Sequence, residues 1–225
     1  TKALTAKILE RPRLIERIRQ AIPLGVSAHL VCFNATSLER SLAVQLGIPM
    51  FATNPDLLYW GTKSGSRRIF KEAGVGLPEG FENVSNEQEL IQALVNLKIQ
   101  QPELKKAVIK LNDGFSGEGN AILHFDNVPN AQLEQWIRRE MPKKLRFVDP
   151  EISYLVFIQK LGLMQGIVEA FVEGETKTSP SVQCRIEPSG EISIISTHDQ
   201  VLGGESGQVY LGCTFPANRE YQEDI

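Results

Sequence analysis

Val108, Ile109, Lys110 and Leu111 run directly into Asn112, Asp113, Gly114, Phe115, Ser116, Gly117, Glu118, Gly119 and Asn120, and the chain turns apolar again from Ala121 to Phe125. Two apolar runs around a polar, glycine-bearing tip predict a β-hairpin with strands over Ala107 to Leu111 and Ala121 to Phe125. Gly114, Gly117 and Gly119 let the backbone approach a ligand closely and turn several N–H groups toward one anion. A long hairpin tip also needs no ligand to explain it, and both readings stand. The segment lacks the Gly-Lys-Ser/Thr of a Walker A loop and the strand-to-helix setting of a dinucleotide-binding turn, which leaves a phosphate-covering lid between two strands. Lys110 stands just before that tip among apolar neighbours. A lysine partly buried there needs an anion beside it, whereas one on an edge strand faces water.

Outward from this hairpin the periodicity alternates. Leu14, Ile15, Ile18 and Ile22 repeat at helical spacing up to Pro23 and Gly25. His29 to Phe33 reads as a strand. Thr36 or Ser37 caps a helix with apolar Leu38, Leu42, Ala43 and Leu46, ended by Gly47, and Pro49 to Thr53 is a second strand. Strand, helix and strand in that order imply a small parallel sheet. Thr62 to Ala73 is a basic helix with Lys63 at its start, a position where a lysine usually faces solvent. Ser85 to Leu97 is another helix, with Ser85 and Gln88 at capping-box spacing. Asn130 to Arg139 and Pro150 to Leu161 read as helices, the latter capped by Asp149. Ile167 to Val172, Ser181 to Glu187, Glu191 to Thr197 and Val209 to Phe215 read as strands between glycine-bearing turns. The fold class is α+β.

The 225 residues are 42% hydrophobic and 23% charged, ordinary for a folded globular chain. Twenty-four Lys and Arg against 27 Asp and Glu leave a formal charge of −3, so no basic field invites nucleic acid. The most apolar stretch, Leu155 to Val172, is broken by Gln159, Lys160, Gln165 and Glu169, which argues against a membrane span. No apolar block of signal-peptide length follows the basic start, so a cytoplasmic location is expected; the first residue is Thr rather than Met, which suggests that the true start lies upstream. Cys32, Cys184 and Cys213 are odd in number, widely spaced and set in apolar or β-like runs, as reduced core thiols would be.

Further candidates follow the hairpin. Glu169, Glu173 and Glu175 decorate an apolar strand that breaks at Gly174; they could accept from sugar hydroxyls, hold a cation, or form a solvated hairpin end. Arg185 shares a strand face with Gln183 and Glu187, opposite Val182, Cys184 and Ile186, and can bind phosphate or carboxylate bidentately or pair with Glu187. His198 and Asp199 are adjacent and so point to opposite faces of a strand, which disfavours a dyad. There is no Gly-x-Ser-x-Gly turn.

The order of these parts is informative as a whole. Gly61-Thr-Lys-Ser-Gly-Ser-Arg-Arg-Ile-Phe70, Gly74-Val-Gly-Leu-Pro78, Val108-Ile-Lys110, the glycine-rich tip and Val168-Glu-Ala-Phe-Val-Glu-Gly-Glu175 resemble the ATP-grasp ligases in sequence and in order. Lys110 to Asn120 and Ser196-Thr-His-Asp-Gln-Val-Leu-Gly-Gly204 resemble the pheganomycin-type peptide ligase branch. The resemblance implies an ATP-grasp domain over residues 61–225, preceded by a small α/β pre-ATP-grasp domain over residues 1–60. It implies ATP as cosubstrate, with Lys63 and Lys110 reaching it and Gly114, Phe115, Ser116, Gly117, Glu118 and Gly119 closing over its phosphates. Glu169, Ala170, Phe171 and Val172 would be a hinge, with the Glu169 carbonyl and Val172 amide pairing with adenine, and Glu175 would accept from the ribose. The implied reaction is carboxylate–amine ligation through an acyl phosphate, on small-molecule or peptide carboxylate and amine substrates, with Lys110 and Arg185 neutralising charge. The family also uses Mg²⁺. Its late acid and Glu-x-Asn pattern does not occur here, so no metal ligand is assigned, and the metal-binding end of the domain is expected beyond residue 225.

Overall fold

The computed structural model describes residues 2–114, 119–129, 132–187, 189–204, 207 and 209–225. The chain divides into two units between Ile69 and Phe70, nine residues past the boundary expected from the sequence.

The first unit opens with α1 (Leu4–Leu9) and α2 (Pro12–Ala21), then β1 (Leu30–Val31), α3 (Ser37–Leu46) and β2 (Met50–Phe51), a 3-10 turn over Pro55–Gly61, and the start of α4 (Lys63–Glu72). β1 and β2 pair in parallel, Leu30 with Met50 and Val31 with Phe51, as the strand–helix–strand order requires. Thr36 accepts from the Leu38 N–H, and the Glu39 carboxylate returns to the Thr36 N–H, closing a capping box; Gly47 ends the helix in the left-handed region. Ile15, Leu42 and Leu46 form the core, flanked by Ile8, Leu9, Ile18 and Ile48.

The second unit carries β3 (Gly80–Val84), α5 (Glu87–Gln100), β4 (Lys106–Leu111), β5 (Asn120–His124), α6 (Leu133–Lys144), β6 (Arg146–Phe147), α7 (Tyr154–Met164), β7 (Gly166–Ala170), β8 (Pro180–Ile186), β9 (Ile192–Gly203) and β10 (Val209–Thr214). Five strands form one antiparallel sheet in the order β3-β7-β4-β5-β6, and three form another in the order β10-β9-β8. The predicted hairpin is β4–β5, with Lys110 opposite Asn120. Alternate residues Ala107, Ile109, Leu111, Ala121, Leu123, Val168 and Ala170 enter a core shared with Leu90, Leu94 and Leu97 of α5, Trp136, Ile137 and Met141 of α6, and Phe157 and Leu161 of α7. Each fully buried Leu, Ile or Phe there contributes about 1.5–3 kcal/mol.

Several expectations change. β3 escaped periodicity because Asn83 takes a positive φ and the register slips between Phe81 and Val84, breaking the two-residue alternation. The α5 cap is Asn86, whose Oδ1 accepts from the Glu89 N–H at 2.9 Å; Ser85 instead donates its N–H and Oγ–H to the Glu89 carboxylate, each at 2.8 Å. Ser153 caps α7, while Asp149 and Pro150 belong to the preceding turn. α6 continues through Pro142. The cysteines are free, but they are not core thiols: Cys184 and Cys213 are exposed and Cys32 is half-buried. Their strands lie in or beside faces that nothing in the described chain covers, as Ile186 at 73% and Ile194 at 71% exposure show, so alternation there does not mark burial.

Gly80 sits where β3 meets β7. A Cβ there would lie 2.2 Å from the Val168 carbonyl oxygen, so Gly80→Ala must push the strands apart and should cost about 1–3 kcal/mol in urea unfolding. Tyr154 donates to Glu87 Oε1 at 2.6 Å, tying α7 to α5, and burial followed by that bond raises its phenol pKa. A raised folded pKa gives stability that is complete below the unfolded value of about 10 and lost as pH rises through the folded value. Wild-type stability should therefore fall above pH 10 more steeply than that of Tyr154→Phe, measured by denaturation across that range.

Candidate functional site

The face of the five-stranded sheet opposite the helices carries Lys106, Val108 and Lys110 of β4, Asn120 and Ile122 of β5, and Ile167 and Glu169 of β7, by strand alternation and register. Val108, Ile122 and Ile167 are buried, so the polar groups among them leave bulk water together. Lys110 Nζ lies 2.7 Å from Glu169 Oε2, with the lysine side chain 27% exposed and the glutamate 8%. Diagonal neighbours across an antiparallel pair are within reach of long side chains, and the carboxylate supplies the anion that a buried lysine requires.

This face continues into a cleft of about 610 Å³ lined by Phe171, Glu173, Lys177, Ser179, Gln200 and Leu202, among others. Lys106 pairs with Glu173 at 2.6 Å. That hydrogen bond, helped by the charges of Lys106, Lys105 and Lys177, holds the Glu173 carboxyl below its usual range. The ammonium groups of Lys106 and Lys177 lie 5.3 and 5.0 Å from the Phe171 ring centroid, within cation–π range. Gln200 closes the other wall: its N–H donates to the Ser179 carbonyl at 2.9 Å, and its Oε1 accepts from Ser179 Oγ at 3.1 Å. The segment from Phe171 to Ser179 is thus anchored at both ends, by the sheet and by β9.

The backbone of the expected hinge is partly committed. Phe171 N–H donates to Lys106 and Asn112 N–H to Gln165. The intervening pairs Val108 with Glu169 and Lys110 with Ile167 therefore fall in the hydrogen-bonded set. The Glu169 carbonyl accepts from Val108 and is not free to face adenine as the resemblance implied; Glu169 presents its carboxylate instead. Ala170 donates to the Glu79 carbonyl, and Val172 is exposed and lines the cleft. Glu175 is exposed on the connection that follows.

Of the tip, Gly114 and Gly119 come together in its neck, where a Cβ on Gly119 would lie 3.1 Å from the Gly114 Cα and 3.0 Å from Leu111 Cβ. Phe115, Ser116, Gly117 and Glu118 lie outside the described residues. Lys63 opens α4 in the first unit. Arg185 lies on β8, half-exposed, with Nη1 3.2 Å from Glu187 Oε1, the simple pairing foreseen for it. His198 and Asp199 do point apart: His198 faces Ser181, while Asp199 accepts from Tyr221 Oη at 2.6 Å and the Asn218 N–H at 2.8 Å. Asp199 therefore fastens the C-terminal turn to β9. Among the described residues no three His, Cys, Asp or Glu side chains gather to hold a metal, and none is assigned to Mg²⁺. No described helix is long and apolar enough to cross a membrane.

Sequence reasoning gave no individual role to Lys106, Asn120, Lys177, Ser179 or Gln200. Asn120 was within reach, since two-residue alternation from Lys110 through a hairpin puts it opposite on the same face. The others depend on which strands meet.

Residues 57–149 match the family model described as IQCH-like, ATP-grasp. The chain is 30% identical over 234 residues to L-propargylglycine--L-glutamate ligase of Streptantibioticus cattleyicolor, covering all of this chain and 45% of that protein. It is 28% identical over 236 residues to IQ motif-containing protein H of Danio rerio, covering 91% of this chain and 22% of that one. The chain thus spans less than half the length of either relative. The fold resembles an N5-carboxyaminoimidazole ribonucleotide synthetase at a TM-score of 0.55 and 14% identity, over 96% of this chain and 47% of that one. It also resembles the Staphylococcus aureus N5-carboxyaminoimidazole synthetase at a TM-score of 0.52 and 8% identity, over 95% and 46%.

Removing one member of the Lys110–Glu169 pair takes from the other the opposite charge that answers it. Lys110→Ala should lose about 1–3 kcal/mol, the lower figure reflecting the part-exposed ammonium, whereas Lys110→Met with Glu169→Leu should recover most of it; thermal melts of the two proteins check this. In sequence over residues 57–149 the chain resembles ATP-grasp proteins, and its fold resembles that of the two synthetases.

Proposed function

We propose that this chain carries the nucleotide site of an ATP-dependent carboxylate–amine ligase that forms an amide through an acyl phosphate. The Lys110–Glu169 pair carries the reading: a cation held by a buried carboxylate, on a sheet face that runs from a glycine-rich neck to a walled cleft. Both fold neighbours named above are described in complex with ADP, and the S. cattleyicolor relative is named as a ligase of two amino acids.

In this reading a substrate carboxylate oxygen attacks the γ-phosphorus, the bond from that phosphorus to the β–γ bridging oxygen breaks, and ADP leaves. The amine nitrogen then attacks the acyl carbon, the C–O bond to phosphate breaks, and the amine loses one proton. Charge neutralisation and positioning supply most of the acceleration in such a transfer. Lys110 would share its ammonium between Glu169 and phosphate, the main chain of the tip would add N–H donors, and Arg185 would exchange Glu187 for a phosphoryl or carboxylate oxygen. The carboxylate and amine substrates would be small molecules or peptides.

A second reading is a nucleotide-binding module without turnover. The match of residues 57–149 to the IQCH-like model, and a relative not named for any reaction, favour it.

The protein incubated with ATP, Mg²⁺ and a panel of amino acids and short peptides should release ADP and phosphate in step with a new amide detected by mass spectrometry. ATP binding with no ADP across the panel would favour the second reading. Lys110→Ala should weaken ATP binding about tenfold or more, and by more than Lys63→Ala, measured by calorimetry.

A further inference from the structure

Asn120 occupies an unusual position. It is 7% exposed, starts β5 directly opposite Lys110, and shares with Lys110 and Glu169 the sheet face that leads to the cleft. Its Oδ1 is buried and, among the described residues, has no hydrogen-bond partner. A buried acceptor left unpaired costs free energy that a leucine of similar size at the same place would not, so such a group persists where something else uses it. The neighbouring ammonium is 2.7 Å from Glu169, engaged on the far side of β4 from Asn120. The orphan is an acceptor, not a donor, so it suits a ligand group bearing hydrogen rather than a phosphate oxygen.

We propose that Asn120 is a binding residue of the nucleotide site, whose Oδ1 accepts a hydrogen bond from the nucleoside part of ATP while Lys110 meets its phosphates. The candidate donors are the ribose 2′-hydroxyl and the exocyclic amine of the base. The inference rests on the ATP reading above and adds a side chain of β5 to the groups that meet the nucleoside. It also assigns the cost of the unpaired oxygen to the nucleotide-free state, to be relieved on binding.

The test compares the wild type with Asn120→Leu by thermal melting without nucleotide, and by calorimetry with ATP, 2′-deoxyadenosine triphosphate and inosine triphosphate. Asn120→Leu should melt a few degrees higher without nucleotide and bind ATP about tenfold more weakly. The penalty should vanish for one analogue: for the deoxy compound if the ribose 2′-hydroxyl is the donor, for the inosine compound if the amine is. An equal penalty on all three nucleotides would overturn the proposal, because Asn120 would then act through the fold. Unchanged ATP affinity in a wild type that binds ATP would overturn it as well, marking the oxygen as water-satisfied. A wild type that binds no ATP would remove the ATP reading itself, a result distinct from the other two.

Discussion

A lysine and a glutamate cannot both leave water on a sheet face unless each answers the other, and the second unit is arranged around that requirement. Lys110 and Glu169 lie 59 residues apart and meet at 2.7 Å only because β7 pairs with β4 in one particular register. A slip of one residue would send Glu169 into the helix-packed core and bring Val168 out beside Lys110. The pair therefore discriminates between registers as well as holding charge. Continuous pairing along β4 also brings Phe171 to Lys106, which opens the cleft, and sets Asn112 against Gln165 at the neck of the glycine-rich connection.

Much of this was legible in the chain, for reasons that differ from place to place. The β4–β5 hairpin follows from two apolar runs around a polar tip, and the parallel β1–β2 pair from a helix of the right length between strands. Arg185 pairs with Glu187 two residues on along the same face, one of the partners that its strand position offers. What could not be read was long-range pairing. Nothing local tells β7 to lie between β3 and β4, so the fate of the Glu169 carbonyl, the Gln200–Ser179 anchor and the two lysines at Phe171 had to come from the fold. Asn83 hid β3 in another way, by bending a strand so that its alternation fails.

The two sheets of the second unit differ in how they are held. The five-stranded sheet is covered by three helices on one face, and on the other its polar residues stand among buried Val108, Ile122 and Ile167, so β7 is buried along its whole length. The three-stranded sheet leaves large apolar side chains such as Ile186, Ile194 and Leu211 exposed, and its firmest attachments are polar: Gln200 to Ser179, and Thr197 and Asp199 to the turn that follows β10. A cleft walled by one well-packed sheet and one lightly packed sheet has an unequal pair of jaws. Opening and closing free energies are lower where buried apolar contacts are few.

The central place of β7 has a consequence for how the protein is made. Its neighbours β3 and β4 leave the ribosome long before it does, so for that interval each presents an unpaired edge to solvent or to each other. Bringing β3 and β4 together directly would be the quick, local solution, and it would exclude β7. The native order demands that this shorter loop be left unclosed until a later strand arrives, which raises contact order and slows the final docking. Glu82 and Asn83 on β3, with the bend at Asn83, make that early edge irregular and charged, a poor template for premature pairing.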